Sequence, residues 1–165
     1  MSITIRKGLP QDAEALLMLY RRQLGRPGCA WDEEYPCLAN IREDLELEAL
    51  YLLLDEGELV AAASCGPFHE LDHLPLWRKS SRPFELARVC VRPDRQGQGL
   101  ASRLLKAILQ DLPRRGCDGL RLLASLDNPP ALRLYERAGF TRRGMAHAYD
   151  LDFAAYDILL NRRSL

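Results

Sequence analysis

The chain is short of histidine, having three in 165 residues, which leaves little from which to build a histidine-rich metal centre. Its five cysteines, Cys29, Cys37, Cys65, Cys90 and Cys117, include no C-x-x-C pair. That removes a zinc knuckle and a dithiol redox motif, and an odd, scattered set suits reduced thiols in a cytoplasmic protein. No segment approaches about 18 consecutive apolar residues, so no membrane span is expected. Met1 to Lys7 lacks the apolar run of a secretory leader. Net charge is also absent, with 23 basic residues against 23 acidic, so nothing draws the chain in bulk to nucleic acid or a membrane surface. Internal repeats and low-complexity tracts are missing, which excludes solenoid architectures.

What is present is an ordinary globular composition, 47% apolar and 28% charged. At this length it predicts one domain over residues 1–165. The charge is uneven. Asp32, Glu33, Glu34, Glu43, Asp44, Glu46 and Glu48 crowd one early segment around Arg42, while arginines dominate from Arg78 onward. Solvated helix faces explain this; so does an acidic region for an amine beside a basic half for phosphates.

The hydrophobic periods predict an order of elements. Ile3–Arg6 alternates as a strand. A helix runs from Pro10 through the stripe Ala13, Leu16, Leu17, Tyr20 and Leu24 to Gly25, and a second covers Tyr35–Leu47. A hairpin pairs Leu50–Leu54 with Glu58–Cys65 around Asp55-Glu56-Gly57. A proline-bearing loop, Gly66–Arg82, leads to a strand at Pro83–Val91. Then come a helix at Gly97–Leu112, a strand at Gly119–Ser125, a helix at Pro129–Ala138, and strands at Thr141–Ala148 and Phe153–Leu160.

The most informative stretch is Val89 to Ala101: a strand, a proline turn and a glycine-rich helix entry. A helix start presents unpaired N–H groups and a positive dipole end, and phosphates bind there. No Gly-Lys-Ser/Thr follows, so this is not the mononucleotide loop, and Ser102 stands where the dinucleotide fingerprint needs a third glycine. A glycine turn capping an ordinary helix is the plain alternative. What remains is Gln96-x-x-Gly99-x-Ala101. Downstream, Asn128-x-x-Ala131-x-x-x-Tyr135-x-x-x-Gly139-Phe140 fills a second pattern. Together these two motifs resemble the paired signatures of the GNAT superfamily of acetyl-coenzyme A-dependent N-acetyltransferases.

The resemblance implies a mixed α/β fold of about seven mostly antiparallel strands, with helices on both faces and a central parallel pair that splays apart. That pair would be Pro83–Val91 and Gly119–Ser125. It implies acetyl-coenzyme A as cofactor, with the diphosphate on Gln96, Gly97, Gln98, Gly99, Leu100, Ala101 and Ser102. The pantetheine would lie along Val89, Cys90 and Val91, with an amide of Cys90 or Val91 facing the thioester oxygen and Asn128 near the same arm. Asn128 also suits a helix N-cap, and Val89 and Val91 suit core packing. Tyr135 matches the general acid. A phenol keeps its proton at neutral pH and can give it to a departing thiolate, although Tyr135 also shares a packing stripe with Ala131, Leu134 and Ala138. Glu85 is the candidate base, acting directly or through water, or else a partner of Arg88.

The reaction so implied is direct acyl transfer to a primary amine in a ternary complex, with a small cationic amine favoured by the acidic stretch beside Trp31 and Tyr35. Some relatives that modify protein N-termini carry a glutamate in the strand before the Asn128 motif, where this chain has Leu123, which weakens a protein N-terminus as acceptor. A covalent route through Cys90 has no histidine paired with it. A non-catalytic acyl-coenzyme A sensor is the alternative of another class. Family members often form homodimers, on which the sequence is silent. His69-Glu70-Leu71-Asp72-His73 spells the zinc-protease string H-E-x-x-H, yet Pro67 and Pro75 bracket it and only His147 remains as a third histidine. A loop near the acceptor is the reading preferred over a metal site.

Overall fold

The computed structural model describes residues 2–160, and the alternating start of the chain forms β1 (Ile3–Lys7) within them. A 3-10 turn at Pro10–Asp12 leads into α1 (Ala13–Arg21). There follow α2 (Leu38–Glu46), β2 (Leu50–Asp55), β3 (Glu58–Gly66) and β4 (Pro83–Val91). The second half supplies α3 (Leu100–Asp111), β5 (Gly119–Ser125), α4 (Pro129–Arg137), β6 (Thr141–Ala148) and β7 (Leu151–Leu159). The strands make one seven-stranded sheet in the order β1-β2-β3-β4-β5-β7-β6, in which β4 and β5 are parallel and every other pair is antiparallel.

Both faces are covered, as the resemblance implied. On one, Leu104 and Ile108 of α3 and Leu134 of α4 pack against Phe84, Leu120 and Tyr156. On the other, Leu16 and Tyr20 of α1 and Ile41 of α2 pack against Leu50, Leu52 and Cys90. Each such leucine contributes about 1.5–3 kcal/mol by leaving water.

Several boundaries shift for local reasons. The second helix begins at Leu38 because the Asp32 carboxylate accepts the amides of Glu34 and Tyr35, making a turn, and Pro36 has no N–H to give. α1 ends early, where Gln23 and Leu24 bond back three residues in a tighter coil and Gly25 turns left-handed at φ +77°. α3 starts at Leu100 rather than Gly97, since Gly97 and Gly99 adopt φ +77° and +76°.

Two features of β4 place the site. It pairs with β5 only through Pro83↔Gly119, Phe84↔Leu120 and Glu85↔Arg121, and the two strands separate beyond that rung. Against β3, Ser64 faces Ala87 and Ala62 faces Cys90, so β4 carries one extra residue and bulges, with Arg88 at φ +50°. Among the described residues no helix is long and apolar enough to cross a membrane.

Candidate active site

The divergence of β4 from β5 leaves strand-edge groups without a strand partner. Arg92 N–H donates to Val60 O at 2.8 Å. Antiparallel alternation therefore turns the N–H and C=O of Cys90 towards β3 and those of Val89 and Val91 towards the gap. Of the two amides expected near an acyl oxygen, that of Cys90 thus points to β3 and that of Val91 into the gap. The carbonyl of Val91 already accepts from Gln23 Nε2 at 3.0 Å and Gln96 Nε2 at 3.2 Å.

At the mouth of the gap lies the glycine loop. Its left-handed glycines have nothing within 4 Å of where a Cβ would stand, so a ligand can approach the bare backbone. The first α3 bond runs from Arg103 N–H to Gly99 O at 3.1 Å, leaving the amides of Leu100, Ala101 and Ser102 in an unpaired first turn. The side chains are mostly committed elsewhere. Gln96 accepts from Arg26 Nη2 at 3.4 Å, Gln98 accepts from Arg95 Nε at 2.9 Å, and Leu100 is buried in the core. The loop thus offers amides and open space rather than side-chain donors.

Beside it, Ser102, Lys106, Leu109, Gln110, Leu134, Arg137 and Ala138 line a groove of about 370 Å³ between α3 and α4. Lys106 and Arg137 bring cationic charge to the run of the helix-start amides. The motifs gave no sign of them; the signal was the i, i+4 spacing of Lys106 from Ser102 on α3. The left-handed loop, the free amides and this basic groove fit a diphosphate-bearing thioester carrier.

Tyr135 projects from α4 into the same region, where it shares an apolar crevice with Val89, Leu86 and Ala101. It is buried, edge-on to Phe140 with centroids 5.7 Å apart, and burial pushes its phenol well above the ordinary tyrosine range. The proton therefore stays on the oxygen at neutral pH. Asn128 caps α4, its Oδ1 accepting from Ala131 N–H at 3.4 Å. A Cβ on Gly28 would stand 2.9 Å from Asn128 Cβ, so the α1–α2 connection leans on this cap.

The other face of the sheet is organised differently from the sequence expectation. Glu85 does not pair with Arg88. Its Oε1 accepts the amide of Glu70 and its Oε2 that of Leu71, both at 3.0 Å, and the residue is only 4% exposed. Burial raises its carboxyl above the usual glutamate value in spite of those two amides. Arg88 instead donates from Nη2 to both Asp44 oxygens at 2.8 Å and from Nη1 to Tyr35 Oη at 3.0 Å. Burial works against the guanidinium charge, but Asp44 and Tyr35 together outweigh it and the group titrates above its ordinary value. Asp44 also accepts from Ser64 Oγ at 2.6 Å, and Trp31 packs edge-on against Tyr20 at 5.4 Å. One member of the acidic stretch, Asp44, is therefore consumed by structure, leaving Glu33, Glu34, Glu43, Glu46 and Glu48 exposed. The Cys90 thiol is buried on the α1 side and pushed up to about 12, which denies it thiolate character.

The H-E-x-x-H string lies in turns rather than on a helix. His69 Nδ1 meets Asp72 at 2.9 Å, and among the described residues no cluster of three or more histidine, cysteine or carboxylate side chains is placed to hold a metal ion.

Comparison with known proteins agrees with this geometry. The model described as the acetyltransferase (GNAT) family matches residues 14–140. A mycothiol acetyltransferase of Brachybacterium faecium is 40% identical over 65 residues, 39% of this chain and 20% of that protein. The spermine/spermidine N(1)-acetyltransferase of Bacillus subtilis is 34% identical over 106 residues, 64% of each chain. The chain thus spans a fifth of the first relative and just under two thirds of the second. A Salmonella typhimurium acetyltransferase solved with its cofactor acetyl-CoA superposes with a TM-score of 0.77 at 20% identity, covering 98% of this chain and 95% of that one.

Proposed function

The chain belongs to the acetyltransferase (GNAT) family, and from that premise we propose that it transfers the acetyl group of acetyl-coenzyme A directly to a primary amine within a ternary complex. The observation that carries the reading is the opening of β4 from β5 beyond Glu85↔Arg121, with the left-handed Gly97 and Gly99 at its mouth. When bound, the carrier supplies a thioester, an acyl group activated towards amines.

The residues divide the work. The amides of Gln96 to Ser102 hold the diphosphate, and Lys106 and Arg137 hold further phosphate charge in the groove. Val89 and Val91 hold the pantetheine arm along the strand edge, with Asn128 beside it. Val91 N–H faces the oxygen on which charge develops. Tyr135 keeps its proton and gives it to the departing sulfur. Glu85 supports loss of the amine's proton; at 4% exposure it acts through the loop it holds rather than by open contact. The protonated, buried thiol of Cys90 supports direct transfer over a covalent route.

A small cationic amine is the favoured acceptor. Glu33 and Glu34 remain exposed beside Tyr35, and the spermine/spermidine relative acts by its name on polyamines. Leu123, where some protein N-terminal enzymes of this family carry glutamate, points the same way. Five free cysteines suit a reducing compartment, the cytoplasm.

The test is calorimetric titration with acetyl-coenzyme A, followed by a coenzyme A-release assay across polyamines, amino acids, aminoglycosides and peptides. Uptake with turnover of a polyamine is expected. Absence of uptake at millimolar cofactor overturns the reading, and uptake without turnover of any amine identifies a sensor.

A further inference from the structure

The turn that carries His69 is fastened over the vertex where β4 and β5 part. Glu85 and Arg121 are the last paired rung, and both reach this turn. Glu85 accepts the amides of Glu70 and Leu71, while Arg121 Nη1 donates to Asp72 Oδ1 at 3.0 Å. Trp77 Nε1 adds a bond to Leu71 O at 2.8 Å, and its ring lies under the Arg121 guanidinium at 5.6 Å. The second oxygen of Asp72 meets His69 Nδ1 at 2.9 Å. A carboxylate can only accept, so Nδ1 carries the proton, which in the neutral ring leaves Nε2 as the acceptor. The His69 side chain is 63% exposed, whereas Glu85 is closed in. His69 also holds φ +64°.

From this placement we infer that His69 is a further catalytic residue, the general base for the amine acceptor, with Asp72, Arg121 and Glu85 as its positioning residues. The inference rests on the acetyltransferase reading above. Nε2 takes one proton from the acceptor ammonium, leaving a neutral amine. The freed nitrogen pair forms the C–N bond, and the C–S pair leaves on sulfur. Tyr135 gives sulfur its proton and recovers the surplus proton from the new amide nitrogen. The imidazolium then releases its proton to solvent.

Position 69 allows a clean variant, because the left-handed backbone there suits glycine and tolerates asparagine. His69→Gly and His69→Asn are compared with wild type, with spermidine and an alanine-initiated tripeptide as acceptors. Expected are an unchanged melting temperature, unchanged acetyl-coenzyme A affinity by calorimetry, and kcat lower by about 100-fold. Added imidazole should restore part of the rate to His69→Gly. Independently of turnover, nitrogen NMR of the cofactor-free protein should show the Nδ1-protonated tautomer of His69, lost in Asp72→Asn. Wild-type turnover in His69→Gly, or an Nε2-protonated tautomer, overturns the dyad alone. Absence of cofactor uptake by wild-type protein overturns the acetyltransferase reading and the dyad with it.

Discussion

Glu85 and Arg121 face each other across the last rung shared by β4 and β5, and each sends its side chain to the same loop. The point where the sheet opens and the loop that covers it are thereby one mechanical unit. Below the rung the parallel ladder is closed; above it the strand edge is free for a ligand.

Burying Glu85 has a consequence for stability. Its carboxyl titrates above the ordinary 4.5 in the folded chain. Below 4.5 both folded and unfolded chains are protonated there. As pH rises, the unfolded chain ionises first, so stability falls until pH passes the raised folded value, and is constant beyond it. Glu85→Gln removes this dependence. Thermal melts of variant and wild type from about pH 4 to about pH 7 should show the difference in Tm moving in the variant's favour as pH rises. A difference that stays constant across that range contradicts it.

The glycine loop offers backbone amides and open space, so side chains added there act by intrusion. A Cβ at Gly99 meets open space, and Gly99→Ala carries only left-handed strain, about 1–2 kcal/mol. Gly99→Glu adds a negative charge at the helix start proposed to hold a diphosphate. Acetyl-coenzyme A affinity should fall tenfold or more, about 1.4 kcal/mol, with Gly99→Ala much nearer wild type. Calorimetry on both variants decides it; equal losses would mean that strain alone governs.

How far the sequence foretells these features depends on their range along the chain. The Asn128 cap and the hairpin turn at Gly57 are local, and the sequence announced them, whereas the left-handed Gly97 and Gly99 displaced the expected helix start to Leu100. The partners of Glu85 are amides 14 and 15 residues away, and Arg88 finds its carboxylate 44 residues back. No pattern marks such pairs, so Arg88 looked available to Glu85 until tertiary packing assigned it to Asp44. The α2 start was misplaced because the Asp32 turn outcompetes a helical first turn. Lys106 and Arg137 lie on different helices and become one groove only when α3 and α4 pack.

The Asp44–Arg88 pair is nearly dry, with side chains 2% and 8% exposed. Removing one partner strands a buried charge at a cost of about 3–5 kcal/mol. Asp44→Ala should therefore lower Tm by roughly 10 °C. Asp44→Leu combined with Arg88→Met leaves no orphan charge and should recover much of that loss. Thermal denaturation of single and double variants tests the asymmetry; a double variant as unstable as the single one contradicts it.

Tyr135 has packing partners that do not need its hydroxyl, since Phe140 and Tyr156 contact the ring. Tyr135→Phe should fold normally and bind acetyl-coenzyme A as wild type does. Loss of the proton donor should lower kcat by about 100-fold. Steady-state kinetics beside calorimetry separates these effects, and an unchanged kcat assigns the residue to packing alone.

The groove between α3 and α4 carries a prediction about charge rather than chemistry. Lys106 and Arg137 line it together with Ser102, whose amide belongs to the unpaired first turn of α3. Cations placed beside that helix start extend its positive potential along the route of a phosphorylated carrier. Attraction between partly exposed charges is screened by salt, over about 10 Å at 0.1 M. Wild-type affinity for coenzyme A should thus weaken as salt rises, and Lys106→Ala with Arg137→Ala should both lower affinity and flatten that dependence. Coenzyme A lacking its 3′-phosphate provides the matching change on the ligand. If the groove holds that group, the double variant discriminates less between the two carriers than wild type does. A double variant that loses affinity while keeping full discrimination would place the 3′-phosphate elsewhere.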